Sequence, residues 1–152
     1  MIARYTRPAM GAVWTDAARY AHWLEIEALA CEALAGQGVV PKAAVRAIRR
    51  RARIDVARIA AIEAEVKHDV IAFVTQVAET VGPEGRFLHL GLTSSDVLDT
   101  GFALQLREAG ALLVAGQDAL LAALGRDFAD SSTSGKKVSP LVLRRPGRVQ
   151  GR

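Results

Sequence analysis

Thr93, Ser94 and Ser95 put three hydroxyl side chains in a row, and the carboxylates Asp96 and Asp99 follow just where a long helical pattern of apolar residues begins. The first turn of a helix has backbone N–H groups without intrahelical partners, and it carries the positive end of the helix dipole. Hydroxyls add short, adjustable donors. Such a turn suits a carboxylate or a phosphate, and Gly91 lets the chain turn and a ligand come close. The same residues also read as a plain cap, because Thr93 and Asp96 have the S/T-x-x-D/E spacing by which a helix start satisfies itself. On residue types alone, both readings stand.

Two histidines strengthen the ligand reading. His89 lies just before the hydroxyl run, and His68 lies before another helix, beside Asp69. Either one alone reads as a surface or satisfied core residue. Two at helix starts form a constellation that can donate to an anion or move protons near neutral pH. His22, next to Trp23, reads as structural. Arg4 and Tyr5 could donate to a phosphate, the arginine through its fork. A solvated terminus is the alternative for Arg4. The chain has no metal-ligating spacing of Cys and His, no phosphate loop and no G-x-G-x-x-G. Neither a metal nor a cofactor is expected, and nothing local points to a Ser/His/Asp triad.

These side chains need helices to place them. Residues 1–12 have little periodicity and read as an extended arm. Thr15-Asp16 caps a helix at about 16–36, with Tyr20, Leu24, Cys31 and Leu34 near one face. Gly36 and Gly38 end it. Pro41 suits the first turn of a helix at about 41–52. Asp55 caps the next, where Ile59, Ile62 and Val66 repeat. After Lys67-His68-Asp69, Val70, Phe73, Val74, Val77 and Val81 follow an amphipathic helical pattern. Gly82-Pro83-Glu84-Gly85 is a turn. The last helix starts near Ser94 or Ser95 and runs to about 128. Its seam of Phe102, Leu106, Ala109, Leu113, Gly116, Leu120 and Leu124 resembles that of a bundle or coiled coil, and needs more helices than this chain supplies. No strand pattern appears. The fold class expected is all-α.

The 152 residues fit one core, and at 51% apolar they describe a globular chain. Net charge is +4, but six of the 20 Lys and Arg fall at 131–152 with no acid, which leaves 14 against all 16 Asp and Glu in residues 1–130. The basic surplus therefore belongs to the tail, whose Ser, Gly, Lys, Arg and Pro content predicts disorder. The expected organisation is a helical domain at 1–130 and a basic tail at 131–152. A basic tail can touch nucleic acid. With no aromatic interleaving and no binding motif, nucleic acid is not the partner expected. No apolar run reaches the roughly 20 residues that span a bilayer, and the N-terminus has no apolar signal segment. The lone Cys31 suits a reducing compartment and a packing role. The expected location is cytoplasmic, with no membrane partner.

Four separated segments carry a resemblance: R-Y-T-R-P-A-M-G at 4–11, W-L-E-I-E-A-L-A-C-E-A-L at 23–34, K-H-D-V-I-A-F at 67–73 and H-L-G-L-T-S-S-D-V-L-D-T at 89–100. Together they resemble the adenylosuccinate lyase family of the fumarase/aspartase superfamily, over about residues 1–128. The resemblance implies an N-terminal all-helical domain followed by the start of a long bundle helix. It implies release of fumarate by β-elimination from adenylosuccinate and from the related carboxamide intermediate of purine synthesis. It also implies a homotetramer whose active sites take residues from three subunits.

By position, Arg4 and Tyr5 match arm residues that contact the nucleotide. Lys67, His68 and Asp69 match a segment lining the site, where His68 would assist the acid chemistry or orient the substrate. His89 matches a histidine near the phosphate. Thr93 and Ser94 match substrate-binding hydroxyls, and Ser95 and Asp96 complete that motif. Lys67 is a departure, since the family usually has Arg there, and an ammonium lacks the fork.

The family's Thr-His pair, which supplies the general acid, and its serine-rich loop, which supplies the base, are not found in this chain. The chain is therefore expected to be a truncated lyase with little or no turnover alone, its tail the product of a wrong reading frame or a fragmentary gene model. The alternative is a non-catalytic helical module that oligomerises or binds a partner through the 102–124 seam.

Overall fold

Thr15 starts the first long helix as its residue type predicts: its Oγ1 accepts the Ala18 N–H at 3.1 Å, satisfying one free donor of the first turn. In the computed structural model, which describes residues 2–133, this helix is α2, Asp16–Gly36. Ahead of it lies α1, Pro8–Val13, and a single 3-10 turn at Ala3–Tyr5. The expected extended arm at 1–12 is thus corrected. Pro8 occupies the first turn, where its missing N–H costs nothing, and Val13 is buried at the other end of α1.

Three shorter helices follow. Pro41 precedes α3, Lys42–Arg51. Asp55 caps α4, Val56–Val66, by accepting the Arg58 N–H at 3.0 Å. α5, Asp69–Val81, buries Val70, Phe73, Val77 and Val81 on one face, at the helical spacing read from the sequence. Gly82, at φ 86°, ends α5. The expected turn at 82–85 is a 3-10 helix spanning Pro83–Phe87. A Cβ on Gly85 would lie 2.8 Å from Ala78 Cα, so this turn packs directly against the α5 backbone. Arg49 of α3 pairs with Glu25 and Glu32 of α2 and ties the two helices across their exposed edge.

The core centres on three rings. Tyr20 and Phe73 stack at 5.7 Å, and Trp23 meets them edge-on at 5.2 and 5.5 Å. Trp23, Phe73, Ile48 and Ile59 are fully enclosed, each worth about 1.5–3 kcal/mol of burial.

The final helix, α6, is Ser94–Thr133, a few residues longer than expected. The chain packs as a unit of Met1–Leu112 and a second that begins at Leu113. In the first unit α6 buries Val97, Gly101, Gln105 and Ala109, a row in steps of four. Gly101 belongs there because a Cβ would sit 2.8 Å from Trp23 Cδ1. Gln105 Nε2 donates to the Val13 carbonyl at 2.7 Å. Phe102 and Leu106 of the expected seam are exposed; in the second unit, so are Leu113 and Leu120.

By length and composition Ser94–Phe128 could cross a membrane, but charged residues break it so often that no apolar run reaches roughly 20 residues. Bundle helices meet the same criterion. Glu108 and Asp118 interrupt this one, and both would be costly in hydrocarbon. Among the described residues there is no strand. The tail expected at 131–152 continues as α6 to Thr133, and 134–152 lie outside the described residues.

Candidate functional site

The start of α6 and the start of α5 meet. His68 Nε2 lies 3.5 Å from Ser94 Oγ, although 26 residues separate them in sequence. His68 is the cap residue of α5, and its Nδ1 accepts the Ile71 N–H at 3.4 Å. That leaves the ring proton on Nε2, facing Ser94. Asp69 Oδ1 is 3.6 Å from the same Nδ1, but a nitrogen already accepting a bond cannot also donate to a carboxylate. The backbone bond is the contact that orients the ring. Asp69 Oδ1 instead accepts the Val70 N–H at 2.7 Å. Lys67, at φ 55°, makes the left-handed step between α4 and α5, and its Nζ donates to the Ala64 carbonyl.

Thr93 and Asp96 form the self-satisfied start. Asp96 Oδ2 accepts the Thr93 N–H at 2.8 Å and the Thr93 hydroxyl at 3.2 Å. Thr93 is therefore engaged in a cap, whereas Ser94 turns its hydroxyl to His68.

His89 sits in a turn at φ 62°, with Gly91 at φ 76° two residues on. Its backbone N–H donates to Glu27 Oε2 at 2.6 Å, and its Nδ1 lies 2.7 Å from Glu27 Oε1. Glu27 is a carboxylate only 1% exposed, on the inner face of α2. One turn further along that face, the Cys31 thiol donates to the Phe87 carbonyl at 3.2 Å. Burial, with the nearby charges of Glu27 and Glu32 adding to it, pushes the Cys31 thiol up to about 11. Cys31 thus stays protonated at neutral pH, a donor and not a nucleophile.

Arg4 and Tyr5 are both exposed, with the guanidinium 4.8 Å above the Tyr5 ring. Among the described hydrogen bonds and ion pairs, none joins them to His68, His89 or Ser94. His22 pairs with Glu108 at 3.4 Å, in keeping with a structural role. Glu27 was given no role in the sequence reading. Its signal was a carboxylate between Trp23 and Cys31, four residues from each, on a face otherwise apolar.

An all-helical chain with histidines and hydroxyls gathered at helix starts defines a class, and comparison with known proteins narrows it. The family described as lyase matches residues 3–128, and the chain belongs to that family. Among its curated relatives, the adenylosuccinate lyase of Synechocystis sp. is 58% identical over 106 residues, covering 70% of this chain and 25% of that protein. The adenylosuccinate lyase of Bacillus subtilis is 48% identical over 114 residues, covering 75% and 26%. This chain thus spans about a quarter of the length of these relatives.

Solved structures agree on the fold. The 3-carboxy-cis,cis-muconate lactonizing enzyme of Pseudomonas putida superposes with a TM-score of 0.66 at 35% identity, covering 73% of this chain and 27% of that one. A fumarate lyase from Mesorhizobium sp. BNC1 gives 0.63 at 26% identity, covering 68% and 25%.

Proposed function

We propose that this chain forms the substrate-holding wall of an adenylosuccinate lyase site, where fumarate leaves by β-elimination during purine nucleotide synthesis. The observation that carries the reading is the approach of His68 Nε2 to Ser94 Oγ at the N-terminal end of α6. A donor imidazole, the hydroxyl it faces and the N–H groups of a helix start converge on one place, and that combination suits a carboxylate or a phosphate. Family membership raises this above a plain cap.

In the elimination, a base removes a proton from the carbon β to the leaving nitrogen, the C–N bond breaks, and an acid protonates the nitrogen. His68, with its proton on Nε2, serves the acid side or orients the substrate. Ser94, and Thr93 when released from Asp96, bind a substrate oxyanion. Lys67 and Asp69 flank His68 in the segment that lines the site. His89 serves the phosphate end, and Arg4 and Tyr5 reach the nucleotide from the N-terminal segment. The base and the principal acid come from other segments or subunits of a homotetramer, which is the assembly proposed.

The test is a titration of adenylosuccinate into the 152-residue chain, followed by the NMR signals of His68 and the α6 amides. Saturable shifts that disappear in Thr93→Ala/Ser94→Ala are expected, with fumarate release at least about 10²-fold below that of a complete enzyme. Unmoved signals, or full turnover, would each refute this assignment.

A second reading rests on the exposed Phe102, Leu106, Leu113 and Leu120: a helical module that associates through α6 without any catalytic role. An oligomer with no response to nucleotide favours it.

A further inference from the structure

We infer that Glu27 is a positioning residue that fixes the tautomer of His89, so that this imidazole meets a ligand through Nε2 alone. The geometry is specific. One carboxylate oxygen takes the His89 backbone N–H at 2.6 Å, and the other stands 2.7 Å from Nδ1. Two acceptors cannot bond each other, so one proton lies between Oε1 and Nδ1. It is assigned to the ring, because a carboxylate that accepts at both oxygens satisfies both contacts of Glu27. An ionised carboxylate only accepts. Nδ1 is therefore the donor to Glu27, and Nε2 is the ring atom left to meet a ligand.

Among the described residues, Nε2 of His89 has no hydrogen-bond partner, and the side chain is 17% exposed. The ring is thus held by one edge and open at the other. The backbone bond matters as much as the ring bond, because it secures the φ 62° turn on which His89 sits. Cys31 backs the same arrangement through the Phe87 carbonyl. The inner face of α2 therefore delivers His89, with its tautomer set, to the approach of α6. The consequence for a ligand rests on the functional reading above; the tautomer itself does not.

The experiment is a long-range nitrogen–proton correlation spectrum of the histidine rings in the whole chain, for the wild type and Glu27→Gln. In the wild type, the neutral His89 ring is expected to show a protonated Nδ1 and a bare Nε2. Glutamine offers one acceptor and one NH₂ donor. Its oxygen must serve the backbone N–H, so its NH₂ faces Nδ1 and the tautomer reverses to Nε2–H. A wild-type ring already in the Nε2–H form overturns the inference, and that spectrum needs no variant to fold. A folded Glu27→Gln chain that keeps Nδ1–H also overturns it. Adenylosuccinate titrated into both proteins separates the two levels. A loss of affinity of about tenfold in Glu27→Gln supports the positioning role. Absence of binding to the wild type refutes the functional reading, while the ring spectrum still decides the tautomer.

Discussion

Lys67 and His89 are the two described non-glycine residues with positive φ, at 55° and 62°, and each stands at the entrance to a helix that carries candidate site residues. The chain secures them in different ways. At the α4–α5 junction the ties that hold the backbone are local, and the one distant contact is the 3.5 Å approach of His68 Nε2 to the Ser94 hydroxyl. Lys67 donates to a carbonyl three residues back, and His68 accepts an N–H three residues ahead. His68 remains 46% exposed. At the approach to α6, the tie comes from a buried carboxylate 62 residues away, and His89 is 17% exposed. A junction held by its own neighbours can shift with a bound ligand at small cost. One held by a distant buried charge cannot move without breaking that pair. The structure thus sets an adaptable imidazole beside Ser94 and a fixed one at the turn before it.

The largest expected effect breaks the fixed junction. Glu27→Ala leaves the His89 N–H without its acceptor, removes the partner of Nδ1 and opens space beside Trp23 and Cys31. The expected loss is about 3 kcal/mol of unfolding free energy, read from urea denaturation. The equivalent change at the adaptable junction, His68→Ala, removes an exposed cap and should cost no more than about 1 kcal/mol. Equal losses would show that the two junctions do not differ as described.

A second effect of intermediate size comes from pH. The Cys31 thiol is raised from an ordinary 9.0 to about 11, chiefly by burial. The sign follows directly. Between those values the unfolded thiol gives up its proton while the folded one retains it, so the unfolded state gains. Stability from this group is fully present below pH 9 and falls as pH rises towards 11, by about 2–3 kcal/mol at most. Other groups titrate in this range, so the quantity to measure is the difference between wild type and Cys31→Ala in urea at pH 8, 9.5 and 10.5. That difference should shrink steadily. A constant difference would mean that the thiol does not hold its proton against the Phe87 carbonyl.

The local half of this comparison was legible in the sequence, and the distant half was not. Thr15, Pro41, Asp55 and Gly82 mark helix boundaries by rules that act over a few residues, and α2 to α5 appear where those residues place them. The Thr93–Asp96 cap was legible for the same reason. The N-terminal segment was misread because its short helix depends on Pro8 and on the burial of Val13, and six residues cannot show a period. No spacing rule brings His68 to Ser94 or Glu27 to His89. Those contacts follow from how α2, α5 and α6 pack, and the residue types alone made His68, His89 and Ser94 candidates. The buried row of α6 was likewise hidden, because Gly101 and Gln105 are not apolar. One provides closeness to Trp23, and the other provides an amide for a carbonyl.

The smallest effect gives the sharpest comparison, because one substitution should act with opposite signs at the two left-handed positions. Glycine relieves a left-handed backbone strain of about 1 kcal/mol wherever the side chain contributes nothing else. At Lys67 the side chain offers only an exposed bond to the Ala64 carbonyl. Lys67→Gly should therefore stabilise the chain by about 0.5 kcal/mol, once the greater freedom of glycine in the unfolded state is deducted. At His89 the same relief is available, but the imidazole is the partner of Glu27 Oε1. Its removal leaves half of a buried carboxylate unbonded, at a cost of about 1–3 kcal/mol, so His89→Gly should destabilise by about 1 kcal/mol. Urea midpoints of the two variants against wild type decide the matter. A midpoint that rises for His89→Gly would mean that the ring contact with Glu27 carries no net stability, and that the turn at His89 is held by its backbone bond alone.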